Sequence, residues 1–313
     1  VSLGLGGIKG SFLKNWFVIL MLLLASFLWG TSFIATEMVL KEVSVLTTLI
    51  GRLGLAALIL LVVIWVKDRG RAPITRKSFF YLVVLGLLST SLYQWVQISA
   101  NKFANASITS LFTSVHPMVL ALCGGIFFKE KLGCFKISGI LLGLMGSLYI
   151  ATQGTFAINH NVRYSIALLL LILNSFMWAS FSSLSKKLDT VFSSFDLIAY
   201  MTVIGFIAFM PIGLILAHYQ GIDLIQEISG LSFRAVGALV FLSVFCTILA
   251  SMLWIYSIRR TDMGKAGYYL YLEPVFAMAV APFFVGNQIN RYVLIGAFLI
   301  FIGLIFINIR KRS

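Results

Sequence analysis

Long apolar stretches recur along the chain with short polar breaks between them. Ten can be delimited, at residues 16–36, 45–66, 78–100, 105–127, 133–151, 164–185, 195–217, 235–258, 264–285 and 292–309. A helix of about 20 apolar residues crosses roughly 30 Å of hydrocarbon, and each stretch is near that length. The pattern predicts an all-α integral membrane protein with ten transmembrane helices. The first stretch follows Lys9 and Lys14 as a signal peptide would, but its apolar run is too long and no small-residue cleavage site follows, so it is expected to stay as a helix. Between spans 7 and 8, Ile222, Leu224, Ile225 and Ile228 stand among polar residues, which predicts a short helix lying in the membrane interface.

Composition agrees with the pattern. Of 313 residues 60% are apolar and only 11% charged, whereas soluble domains carry about a quarter charged residues. The net charge of +14 would suggest nucleic acid in a soluble chain, but no basic-aromatic patch exists. Instead the basic residues alternate by loop. Lys9 and Lys14, Lys67 to Lys77, Lys129 to Lys136, Lys186 and Lys187, Arg259 to Lys265 and the Arg310 to Arg312 tail place 18 on one face, against five on the other (Lys41, Lys102, Arg163, Arg234 and Arg291). Basic loops resist translocation, so both termini are expected in the cytoplasm. Val1, where a GTG start would be read literally, points to a prokaryotic gene and hence to a prokaryotic cytoplasmic membrane. Cys123, Cys134 and Cys246 are too scattered for a disulfide framework or metal knuckle and are read as packing residues.

The two halves repeat. At a constant offset of 157 residues Phe112 falls on Tyr269, His116-Pro117 on Glu273-Pro274, Gly139 on Gly296 and Gly146 on Gly303. A second echo, at an offset of 149, sets Ser26-Phe27-Leu28-Trp29 against Ser175-Phe176-Met177-Trp178. Because each half holds five spans, the second enters the membrane from the opposite side, and the repeats are inverted about an axis in the membrane plane. The domains are then a cytoplasmic tail at 1–15, a first five-helix repeat at 16–151, an external linker at 152–163, a second repeat at 164–309 and a basic tail at 310–313. Such symmetry is common in secondary carriers, whose sites lie near the midplane between repeats.

On Ala25-Ser26-Phe27-Leu28-Trp29-Gly30, Arg52-Leu53, Ala106-Ser107 leading into Pro117, and Phe127-Phe128-Lys129-Glu130-Lys131-Leu132 followed by Gly139 to Gly146, the chain resembles the EamA-type transporters of the drug/metabolite transporter superfamily. The resemblance spans nearly the whole chain. It departs at Val285-Gly286-Asn287-Gln288, where Asn287 stands in place of the expected acid. It implies a ten-helix inverted-repeat carrier, often an exporter of metabolites, amino acids or foreign compounds.

An ionisable group near the bilayer centre costs at least about 2.5–3.5 kcal/mol, so each invites a functional reason. Glu273 is the deepest acid and His116 lies at the equivalent depth of span 4. Helical spacing puts Thr109, Thr113 and His116 on one face and Tyr269 with Glu273 on another. Thr113, His116, Tyr269 and Glu273 are candidates for substrate binding, with Glu273 and His116 also the candidate proton-coupling pair. The alternative is a structural kink at Pro117 and Pro274, with Glu273 hydrogen-bonded to a tyrosine. Arg52 either binds a substrate carboxylate or pairs permanently with Glu37 or Glu42. Trp29, Tyr93, Gln97 and Trp178 complete the candidate lining. Asn101, Asn174 and Ser182 continue its polar stripes, which serve as interhelical glue or as a wet wall. Trp16, Trp65 and Trp95 are assigned to the interfacial belt or to apolar faces. Gly139, Gly143, Gly146, Gly296 and Gly303 allow close helix packing within the chain or in a homodimer.

No Walker motif, phosphate loop or cytosolic domain points to ATP, and no nucleophile, metal or paired-aspartate pattern points to an enzyme. A secondary transporter, an exporter by its resemblance, therefore leads. Its partners would be a small-molecule substrate and membrane lipid, with no cofactor and no nucleic acid. A flippase for lipid-linked substrates or a non-transporting membrane sensor stands as the alternative.

Overall fold

A computed structural model describes residues 5–66, 74–130, 133–152, 154, 162–188, 190–284 and 291–308. Most of the loop at 67–77, most of the linker at 152–163, Asn287 and the basic tail therefore lie outside the described residues. The order is α1 (Leu5–Leu40), α2 (Val45–Val66), α3 (Arg76–Leu85), α4 (Tyr93–Phe112), α5 (His116–Phe128), α6 (Cys134–Ala151) and α7 (Val162–Lys187). Then come α8 (Ser194–Tyr219), α9 (Leu224–Ser229), α10 (Phe233–Phe241), α11 (Ala250–Ile258), α12 (Met263–Tyr268), α13 (Glu273–Phe284) and α14 (Arg291–Asn308). Among the described residues there is no strand. Among the described residues five segments are long and apolar enough to cross a membrane: Trp16–Leu40, Val45–Val66, Arg76–Lys102, Ser194–Tyr219 and Phe233–Ile258. His116–Phe128, Cys134–Gly146 and Leu294–Phe306 are shorter apolar helices.

Two expectations change. Helix α1 begins at Leu5, so the segment read as a tail is mostly helical. The loop expected between spans 3 and 4, near 101–104, is helical too, because α4 runs to Phe112. Asn101-Lys102-Phe103-Ala104-Asn105 contains neither Pro nor Gly to interrupt it. The irregular backbone lies elsewhere. A π-helical segment at Gly86–Leu92 joins α3 to α4, and another at Leu242–Leu249 joins α10 to α11. Tight 3₁₀ turns at Thr113–Val115 and Tyr269–Leu272 precede the His116-Pro117 and Glu273-Pro274 pairs. These irregularities recur at or within a residue or two of the 157-residue offset.

Helices α6 and α14 cross with their glycines in register. A Cβ on Gly146 would lie 2.6 Å from the Gly296 carbonyl oxygen, and one on Gly303 would lie 2.7 Å from that of Gly139. The two contacts are the same contact with the halves exchanged, and their register is antiparallel. These glycines therefore pack within the chain. Gly30 has a comparable use, since a Cβ there would come 2.6 Å from the Glu273 carbonyl oxygen. Its absence lets α1 lie directly against the start of α13.

The outward residues are apolar, as a lipid-facing surface requires. Trp16 and Trp65 are exposed while Trp95 packs on Phe209, and α9 buries none of its residues, which suits an interfacial helix. Cys246 is buried and donates to the Leu28 carbonyl, and Cys123 is half-buried, but Cys134 is exposed and is not a packing residue.

Candidate functional site

Arg52, His116 and Glu273 are 2%, 2% and 5% exposed, and all three line one cavity. Trp29, Tyr93, Gln97, Thr113 and Trp178 line it as well. Of the nine substrate-binding candidates read from sequence, Tyr269 lies elsewhere, on the wall of a second cavity. The 3₁₀ turn explains the displacement. At 3.0 residues per turn, positions four apart are separated by about a third of a turn, whereas α-helical spacing would have kept Tyr269 and Glu273 on one face.

Arg52 projects from α2 beside the second π segment. Its Nε donates to Thr247 Oγ1 at 2.8 Å, and the Thr247 hydroxyl donates in turn to the Leu242 carbonyl five residues back, at 2.9 Å. Ser243 donates to the Arg52 carbonyl at 2.9 Å. Among the described residues no carboxylate lies within ion-pair distance of the guanidinium. The expected pairing with Glu37 or Glu42 does not occur. Glu37 sits 3.9 Å from Lys41, and Glu42 accepts from Ser232. Arg52 lies seven residues inside α2, about 10 Å along its axis, too deep for those loop residues.

Glu273 is hydrogen-bonded to Thr113. His116 Nδ1 lies 2.8 Å from the carbonyl of the same threonine. A carbonyl only accepts, so Nδ1 carries a proton. Among the described residues Nε2 has no hydrogen-bond partner, and the same holds for Trp178 Nε1 and Gln94 Oε1 on this cavity's wall. Buried polar atoms are nearly always paired, so three such atoms on one wall suit a polar ligand.

An aromatic cage completes the wall. Trp29 meets Trp178 edge-on at 5.0 Å, and Tyr93 lies 5.2 Å from Trp178 and 6.2 Å from His116. Trp29 Nε1 donates to the Cys246 carbonyl at 3.0 Å, so the π segment anchors both Trp29 and Arg52. The remaining polar stripe residues act as glue. Asn101 donates to the Phe33 carbonyl at 3.2 Å, Asn174 to that of Tyr93 at 2.8 Å, and Ser182 accepts from Trp254 at 3.1 Å. Thr109 is buried but lies off the cavity wall.

Residues 16–152 and 165–309 each match the EamA-like transporter family. The chain belongs to that family. An uncharacterized transporter of Archaeoglobus fulgidus is 26% identical over 284 residues, 91% of this chain and 94% of the relative. The uncharacterized transporter YyaM of Bacillus subtilis is 22% identical, covering 94% of each, and the chloroplastic WAT1-related protein At3g02690 of Arabidopsis thaliana is 23% identical over 97% of this chain and 71% of its own. A solved crystal structure at 17% identity aligns over 93% of the chain and 95% of its own with a TM-score of 0.74, which establishes the shared fold. This EamA-like chain is therefore a multi-pass membrane protein of a transporter family.

Sequence reasoning missed several wall residues of this EamA-like cavity, notably Ser89 and Thr90 on the first π segment and Thr247 on the second. Apolar periodicity carries no mark of a π turn. It also missed the carboxylate ties at the two ends. At one end Glu130 accepts from Lys186 at 3.2 Å and from the Met263 and Gly264 N–H groups at 2.9 and 3.4 Å. At the other, Glu42 accepts from the Ser232 N–H at 2.8 Å and hydroxyl at 2.6 Å, and Glu227 accepts from the Ser44 N–H at 3.0 Å and from the Thr47 hydroxyl.

The ties of Glu42 and Glu227 carry a pH prediction. Ser232 holds Glu42 below the ordinary glutamate value of 4.5; burial pushes Glu227 up, but hydrogen bonds from Thr47 and Ser44, with Lys102 nearby, outweigh it. Depressed values mean that the ties are fully made above about pH 4.5 and are lost as pH falls through the lowered values. The distance between spin labels at Lys41 and Gln226 should stay constant from pH 5 to 8 and lengthen only as pH falls below the ordinary glutamate value of 4.5. Lengthening between pH 5 and 7 would contradict the assignment.

Proposed function

We propose that this protein is a secondary transporter that exports small metabolites, amino acids or drug-like compounds across a prokaryotic cytoplasmic membrane by alternating access. The observation that carries this reading is the burial of a cation and an acid, Arg52 and Glu273, on one cavity with an aromatic cage. Arg52 receives a substrate carboxylate, Trp29, Tyr93 and Trp178 hold its apolar part, and Glu273 exchanges a proton, with His116 as relay. Two inverted five-helix repeats, 16–151 and 164–309, form the cavity between them. The reciprocal glycine contacts of α6 and α14, the recurring π and 3₁₀ segments, and the Trp29–Trp178 contact support that symmetry.

Cells with and without the gene would be compared for exported metabolites. Compounds exported only with the gene, and retained when Arg52→Ala or Glu273→Ala replaces it, support the reading. Export that survives both substitutions would overturn it.

With both termini in the cytoplasm, a cysteine at Asn159 should react with a membrane-impermeant reagent applied outside, while one at Arg71 stays protected. The reverse pattern would contradict the inverted topology.

A further inference from the structure

The second cavity lies between α1 and the corner joining α11 to α12. Its two sides differ in chemistry. Val18, Ile19 and Leu22 of α1 supply an apolar wall, and Arg260, Thr261 and Lys265 supply the polar one, with Tyr269 at the back. No acid is among its lining residues. Two carboxylates near this corner have partners outside the cavity: Asp262 lies 2.6 Å from Lys136, and Glu130 is held by Lys186 and two backbone N–H groups. Arg260 has no carboxylate partner among the described residues. Its guanidinium stacks 3.6 Å over the Tyr256 ring and donates to the Tyr256 carbonyl at 3.0 Å, which fixes its position.

The Arg260 end is continuous with the lipid-facing surface. Tyr256 meets Phe17 edge-on at 5.8 Å, and Phe17 heads an exposed apolar stripe on α1 that continues through Leu20, Leu24 and Phe27. Exposed Trp16, one residue before Phe17, marks the level of the headgroups. Two basic side chains at headgroup depth, joined to an apolar track toward the bilayer interior, match an amphiphile with an anionic head.

We propose that this cavity binds an anionic phospholipid, with its phosphate between Arg260 and Lys265 and an acyl chain along Phe17, Leu20 and Leu24. Tyr269 lines this cavity, while the next residue, Leu270, lines the central one. The assignment is independent of which substrate the central cavity carries.

The test uses the full chain in liposomes of phosphatidylcholine with an equal amount of phosphatidylglycerol, released gently and weighed intact by native mass spectrometry. Phosphatidylglycerol should be retained over phosphatidylcholine. Arg260→Gln and Lys265→Gln should each lower that preference roughly fivefold, and the pair roughly thirtyfold, from about 1 kcal/mol per basic residue. Arg260→Lys keeps the charge and should keep most of the preference, which separates lost charge from lost folding. Lys187→Gln, on the same face but outside the cavity, should change nothing. Equal retention of the two lipids, or full preference in the double variant, would overturn the proposal. Displacement of the lipid by millimolar glycerol phosphate would also overturn it, because the site would then be one for free phosphate esters.

Discussion

Arg52→Gln is expected to weaken binding of carboxylate-bearing substrates by roughly 10- to 150-fold, the worth of a charged hydrogen bond of about 1.5–3 kcal/mol. Its effect on stability should have the opposite sign to that of an ordinary core substitution. Arg52 is buried with a single side-chain hydrogen bond, to Thr247, and no ion-pair partner among the described residues. A charge kept there costs at least about 2.5–3.5 kcal/mol, so removing it relieves the folded state. The thermal midpoint of the purified protein should therefore hold or rise while substrate affinity falls. A lower midpoint with unchanged affinity would make Arg52 a structural residue.

Gly146→Leu is expected to be the most damaging single change at the α6–α14 crossing. The atom it meets is a backbone oxygen, that of Gly296, which has no rotamer to move into. Overpacking a fitted interface costs about 1–3 kcal/mol, and the leucine also carries three carbons beyond its Cβ. Gly303→Leu should behave alike, because its Cβ meets the Gly139 oxygen and Tyr268. Both variants should lower the thermal midpoint in detergent and the yield of folded protein. If these glycines instead served a dimer, the variants would change the particle mass and leave the midpoint alone.

Much of the site was legible in the sequence because its residues are rare in apolar helices. A buried acid, a buried histidine and a buried arginine stand out against Leu, Ile and Phe, and the half-chain repeat marked His116 and Glu273 as equivalents. What was not legible depends on backbone irregularity. Tyr269 was set beside Glu273 by α-helical spacing, and the 3₁₀ turn at Tyr269–Leu272 rotates it away. The depth of Arg52 was readable, but its partner Thr247 lies 195 residues away on a π segment that apolar periodicity does not register. The glycines suggested close packing without saying with what, and only the reciprocal contacts of α6 and α14 place them within one chain.

Transport coupled to protons at Glu273 is most directly tested with Glu273→Gln in proteoliposomes, using the metabolite most strongly exported in the cellular comparison. Glutamine keeps the size of the acid and can still bond Thr113, so exchange of labelled for unlabelled substrate should continue. It cannot release a proton, so accumulation driven by a pH gradient should disappear. Full gradient-driven accumulation by Glu273→Gln would contradict the account.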